Sequence, residues 1–197
     1  MKKLLLVSAL VLMSLCAFAQ VAIIDMSVIA KSEYIQKANE EIGQMYMNAE
    51  KELQIRSENR FLGENEITEL ITLVNSKGDQ NKIKEYQDTN TKRYDELQTL
   101  NQTKELTDEQ KKRMSELTAL TKKSGENFEA RQKALAEQIE TADAANSEKI
   151  LNEVKAACEK VAKNKKLTLV IEKSSVFFGG TDITNDVINA LPKSDKK

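Results

Sequence analysis

A chain of 197 residues without a single histidine has few ways to do chemistry. It has no Ser-His-Asp or Cys-His relay and no imidazole metal site. Its two cysteines are Cys16 and Cys158. Cys158 stands beside an Ala157–Val161 apolar stripe with no partner to activate or resolve it, which reads as a packed thiol. Asp182 and Asp186 could form an acid–base or cation pair. Helix capping and dipole compensation account for Asp186, and no calcium-loop spacing surrounds the two. Gly63, Gly78 and Gly125 make no phosphate loop, because none leads into Gly-Lys-Ser/Thr. The basic runs Lys111-Lys112-Arg113 and Lys122-Lys123 alternate with glutamates, as on a solvated helix flank. No enzyme, cofactor or metal site is expected.

The remaining large side chains are Met45, Tyr46, Phe61, Leu62, Tyr86, Tyr94 and Phe128, spread through the middle of the chain. Their types suit adaptable apolar contact rather than catalysis. Composition points the same way. Charged residues make up 31% and aromatics 5%, with 1 Pro and no Trp, which favours long helices over an enzyme-like core. With 30 basic and 31 acidic residues, net charge −1, binding of nucleic acid by counterion release is excluded.

The elements that position these residues begin after a leader. Lys2 and Lys3 precede an apolar run from Leu4 to Leu15, and Ala17-Phe18-Ala19 supplies the small residues of a cleavage site. Residues 1–19 read as a cleaved signal peptide, too short to be a membrane span; a retained anchor is the other reading. Leu15 before Cys16 does not suit a lipoprotein site. The product is an exported, soluble chain of residues 20–197. Losing Lys2 and Lys3 changes its formal charge from −1 to −3.

Val21-Ala22-Ile23-Ile24-Asp25 reads as a buried strand, followed by one helical turn capped by Ser27. Leu167, Leu169 and Ile171 alternate on one strand face, Ser174-Ser175 marks a turn, and Val176-Phe177-Phe178 makes a third strand. Residues 167–178 are therefore expected to form a hairpin. Thr184 is the expected N-cap of a last helix, with an Ile183/Ile188 staple, ending near Leu191.

Residues 34–166 lack strand alternation and carry a narrow apolar stripe at three- and four-residue steps, as in a coiled coil. Thr107 and Gln110 form a capping box. A turn at 101–106 gives nearly equal arms, 34–100 and 107–166, on the order of 90–100 Å each at the helical rise. A turn at 76–79 would leave them unequal. Gly63, Gly78 and Gly125 should mark kinks or local breaks, and 57–92 should be the weakest part of the seam.

Both ends of the chain carry a resemblance. Val21-Ala22-Ile23-Ile24-Asp25-Met26 resembles the amino-terminal signature of the Skp (OmpH-like) periplasmic chaperone family. Residues 150–162, 167–173, 176–178 and Asp182-Ile183-Thr184-Asn185-Asp186-Val187-Ile188 resemble its carboxy-terminal part in the same order. The middle is similar only in kind.

The resemblance implies a mainly α protein with a small β body. Residues 20–33 and 167–197 would form that body, three short strands plus a C-terminal helix, associating as a barrel-like homotrimer. Residues 34–166 would be a helical-hairpin tentacle. It further implies an ATP-independent periplasmic holdase whose partners are unfolded outer-membrane β-barrel proteins and other copies of itself. Met45, Tyr46, Phe61, Leu62, Tyr86, Tyr94 and Phe128 would line the client cavity, or pack the seam as apolar residues at helical spacing ordinarily do. Val21, Ile23, Leu167, Leu169, Ile171, Val176 and Phe178 would build the trimer body. The near-neutral charge leaves at most weak contact with a membrane surface. The alternative is an envelope adaptor that binds one folded partner at its hairpin tip.

Overall fold

A computed structural model of the chain describes residues 20–193. The expected leader, 1–19, and residues 194–197 lie outside the described part. The chain divides into two compact units, one formed by 20–41 with 143–193 and the other by 42–142.

The first unit is built on a strand β1, Val21–Ile24, placed between β2, Leu169–Glu172, and β3, Thr181–Asp182. Both neighbours run parallel to it, with Val21 opposite Leu169, Ile23 opposite Ile171 and Ala22 opposite Thr181. Side chains alternate along a strand, and paired residues share a face. Ala22 and Ile24 therefore point with Val170 into the core, where they join Ile29, Ile35, Val154, Ala157, Val161, Ile183, Val187 and Leu191. Val21, Ile23, Leu169 and Ile171 take the opposite face.

Several local expectations change here. The hairpin over 167–178 does not form. Strand β2 starts at Leu169, and Leu167 packs against the core instead. After β2 the chain makes a 3-10 turn, Lys173–Ser175, with the Glu172 carboxylate accepting from the Ser174 N–H at 3.1 Å. Val176, Phe177 and Phe178 join no strand. The third strand is Thr181–Asp182, because Gly179 and Gly180 at φ 89° and 93° redirect the chain to the far edge of β1. A β carbon on Gly180 would lie 2.7 Å from Ile23 Cγ2, so only glycine allows this approach.

The first helical turn, α1, Met26–Ile29, is capped by Asp25 rather than Ser27. Its Oδ1 accepts from Ser27 N at 3.0 Å and Val28 N at 3.3 Å. Nor is Thr184 the cap of the last helix. Its hydroxyl accepts from Asp25 N at 2.9 Å, which commits it to the amino-terminal segment. Ile183 occupies the cap position, and Asp182 Oδ1 takes the Thr184 N–H at 2.9 Å.

Helix α2 spans Glu33–Glu58 and helix α5 spans Asp108–Lys165; 42–58 and 108–142 of these belong to the second unit. Between them come α3, Glu64–Ser76, and α4, Gln80–Gln102; the last helix, α6, is Thr184–Ala190. The expected single outgoing arm is thus divided into three helices. The breaks fall in the stretch read as the weakest seam, yet they are reversals rather than kinks. Lys77, in the left-handed region at φ 52°, closes α3, and Asp79 caps α4 through Asn81 N at 2.9 Å. Helix α4 then returns along α3, so that Tyr86 and Lys82 meet Glu69. Gly125 interrupts nothing and lies inside α5.

The break between α4 and α5 holds the expected capping box. Thr107 N donates to Gln110 Oε1 at 2.9 Å, and Gln110 N donates to Thr107 Oγ1 at 3.2 Å. Two apolar clusters fill the unit. Ile55, Leu62, Ile67, Leu70 and Ile71 form one, and Ala49, Leu135 and Ile139 with Met45 and Leu53 form the other.

Candidate functional site

The second unit offers no enclosed catalytic pocket, but it does display apolar side chains on a tightly pinned frame. Three arginine–glutamate clamps do the pinning. Arg131 on α5 meets Glu52 on α2 through Nε at 2.7 Å and a terminal nitrogen at 2.9 Å. Arg93 on α4 meets Glu66 on α3 at 2.7 and 3.0 Å. Arg113 on α5 meets Glu96 on α4 at 2.9 Å twice. Each is a two-bond guanidinium–carboxylate contact, which fixes orientation as well as distance.

The clamps are linked further. Arg56 bonds Glu52 at 3.0 Å and Glu64 at 2.9 Å, and Asn127 reaches the other oxygen of Glu64 at 2.8 Å. The arginine hydrogen bonds are the largest cause holding the Glu52, Glu66 and Glu96 carboxyls below the ordinary value, against the opposing effect of burial. A cleft of about 530 Å³ opens between Arg93 and Arg113 above Leu117 and Leu120. Both guanidiniums are already occupied by carboxylates, so the cleft is not an anion site.

Against this frame the seven candidate contact residues separate. Tyr46 and Tyr94 stand 56% and 47% exposed. Phe61 is half-buried and meets the Tyr94 ring edge-on, 5.6 Å between centroids at 77°. Phe128 is also half-buried. Tyr86 packs on the α3–α4 cluster, and its hydroxyl donates to Glu69 at 2.6 Å. Met45 packs beside Leu135 and Ile139. Leu62, 2% exposed, is a core residue of the α3–α4 cluster and presents nothing to a ligand. The sequence reading missed Met47, which is 53% exposed. Its signal was its place next to Tyr46, off the stripe carried by Met45 and Ala49.

The first unit has an apolar surface of its own. Among the expected body residues, Val21, Ile23 and Ile171 are half-buried on the outer sheet face, and Leu169 is exposed there. Phe178 is fully exposed, as is its neighbour Phe177, while Val176 is half-buried. Beside the sheet, a groove of about 480 Å³ runs between β2 and α5, lined by Met26, Leu151, Val154, Cys158, Leu167 and Leu169 among others. Burial raises the Cys158 thiol pKa, in keeping with a packed, unactivated sulfur.

The two aspartates considered for chemistry are occupied structurally. Asp182 caps Thr184 N, and Asp186 pairs with Lys165 at 3.0 Å. In the basic runs, Arg113 forms a clamp, Lys111 meets Asp108, and Lys123 meets Glu126. No helix among the described residues is long and apolar enough to cross a membrane.

Comparison with known proteins agrees with the resemblance read from the two ends. A family model described as outer membrane protein (OmpH-like) matches residues 20–191, spanning both units. No curated relative matches the chain significantly. The chain belongs to the OmpH-like family.

Proposed function

From this membership we propose that the protein is an ATP-independent periplasmic holdase, which binds unfolded outer-membrane β-barrel proteins and keeps them from aggregating. The observation that carries the reading is the pairing, in the second unit, of a clamped helical frame with uncovered Tyr46, Met47 and Tyr94. A ligand defined by being unfolded has no fixed shape to match. Scattered flexible and aromatic contacts suit it better than a pocket does. Such contacts are individually weak, so a client can leave without an energy source. The leader-like residues 1–19 fit export to the compartment where these clients pass. The fold's mainly helical character and its small sheet fit a homotrimer assembled through the sheet unit, since three short strands have exposed edges and little apolar area of their own.

The adaptor reading is less well supported. At the 103–107 turn, Thr103, Lys104, Glu105 and Thr107 are exposed and polar, and only Leu106 is half-buried. That surface has no apolar anchor for a folded partner.

The test is to dilute a urea-unfolded outer-membrane barrel protein into buffer with and without the exported chain, and to follow turbidity and complex mass by light scattering. A holdase suppresses turbidity for several unrelated barrels and ignores the same barrels once folded. Binding only to a folded partner, with the unfolded barrels precipitating at their unassisted rate, would sink the proposal.

A further inference from the structure

The sheet unit carries both halves of an apolar contact on one chain. Phe177 and Phe178 lie just beyond the Lys173–Ser175 turn and are fully exposed. The groove between β2 and α5 is lined mainly by apolar side chains, with Leu151 and Leu169 exposed at its mouth and Cys158 along its wall. Lys155, Glu159 and Glu172 rim it with mixed charge, which favours neither an anionic nor a cationic ligand. The chain's own phenylalanines do not fill the groove, since both are uncovered in the same structure.

We infer that Phe177 and Phe178 of one copy seat in the β2–α5 groove of a second copy. Two adjacent phenylalanines present about 300–500 Å² of apolar surface, an unusual load for a monomer to leave in water. The groove, at about 480 Å³, is large enough to receive aromatic rings without remodelling the unit. Because knob and groove sit on the same unit, each copy can give one contact and receive another, and a closed symmetric assembly uses every contact. The absence of strand structure at 176–178 has a reason in this picture, since the segment is placed for a neighbour and not for its own sheet. The inference rests on the self-association proposed above and specifies the residues that perform it.

Cys158 makes the contact directly testable. A Phe178→Cys, Cys158→Ser chain is unfolded in urea, mixed with wild-type chain, refolded and oxidised with copper phenanthroline. Peptide mass spectrometry is then used to search for a disulfide joining position 178 of one chain to Cys158 of the other. In parallel, light scattering follows wild type and Leu151→Asp across a dilution series, with circular dichroism confirming retained helix. The expected results are the 158–178 linkage and at least a tenfold weaker self-association of Leu151→Asp. A missing linkage, or an unchanged affinity of the variant, overturns the groove contact even if wild type is oligomeric. A monomeric wild type at all concentrations overturns the self-association proposal itself, and the groove contact with it.

Discussion

Arg131 and Glu52 are 79 positions apart in sequence and joined by two hydrogen bonds, 2.7 and 2.9 Å long. Glu52 is also bonded to Arg56 at 3.0 Å, so one carboxylate serves two guanidiniums. Its side chain is mostly shielded, as is that of Arg56, which places this pair between a surface bridge of little worth and a costly buried one. The second unit is therefore held by geometry at a few polar points, with thin apolar seams between them.

The pH dependence follows from the sign of the carboxyl shifts. Glu52, Glu66 and Glu96 are all held below the ordinary carboxylate value by their arginines. Their contribution is fully present above the unfolded value, about 4.3, and is lost as pH falls through the folded values. Thermal stability should be nearly flat from pH 8 to 6 and should fall below about pH 4.5. Glu52→Gln should cost about 1–3 kcal/mol at pH 7, by leaving Arg131 and Arg56 without their shared acceptor. The same variant should show a shallower acid slope. Melting followed by circular dichroism across pH checks both; an acid slope identical to wild type would remove Glu52 from the account.

Gly180 is a backbone prediction. It combines φ 93° with a β-carbon position 2.7 Å from Ile23 Cγ2. Gly180→Ala should cost about 1–3 kcal/mol and loosen β3 from β1. The readout is hydrogen exchange at Ile183, whose N–H donates to Ile23 O at 3.0 Å. Gly43 is the control, since it sits inside α2 with open space where a β carbon would go. Gly43→Ala should stabilise by roughly 0.5–1 kcal/mol. If both variants behave alike, the close approach at Gly180 is not what positions β3.

For the proposed holdase activity, Tyr46, Met47 and Tyr94 are the exposed residues to change. Replacing all three with Ser should weaken client binding by about tenfold or more, since 1.4 kcal/mol already corresponds to tenfold. Oligomeric mass and melting temperature should stay near wild type, because none of the three belongs to a buried cluster. Leu62→Ser should do the opposite, lowering stability through the α3–α4 cluster. Fluorescence anisotropy with a labelled unfolded barrel, read beside a melting curve, separates the two. Client affinity unchanged in the triple variant would place the contact surface elsewhere.

What could be read in the sequence was whatever depends on neighbours in the chain. The helical middle, the Thr107–Gln110 box, the strand at Val21–Ile24, the first-turn Asp186 and the family resemblance at both ends are local patterns, set by backbone sterics, capping and hydrophobic period. The tertiary structure decided everything that needs a distant partner. Thr184 looked like a cap and became an acceptor for Asp25, because only folding brings those residues together. Val176-Phe177-Phe178 has the composition of a strand, yet β1 pairs with Thr181–Asp182 after the turn at Gly179 and Gly180. The reversals around 59–63 and 77–79 were visible as weak seam. Their return along one another was not, because α3–α4 packing and the Glu66–Arg93 clamp join residues 27 apart. A period in the sequence says which side chains share a face; only the folded chain says what that face meets.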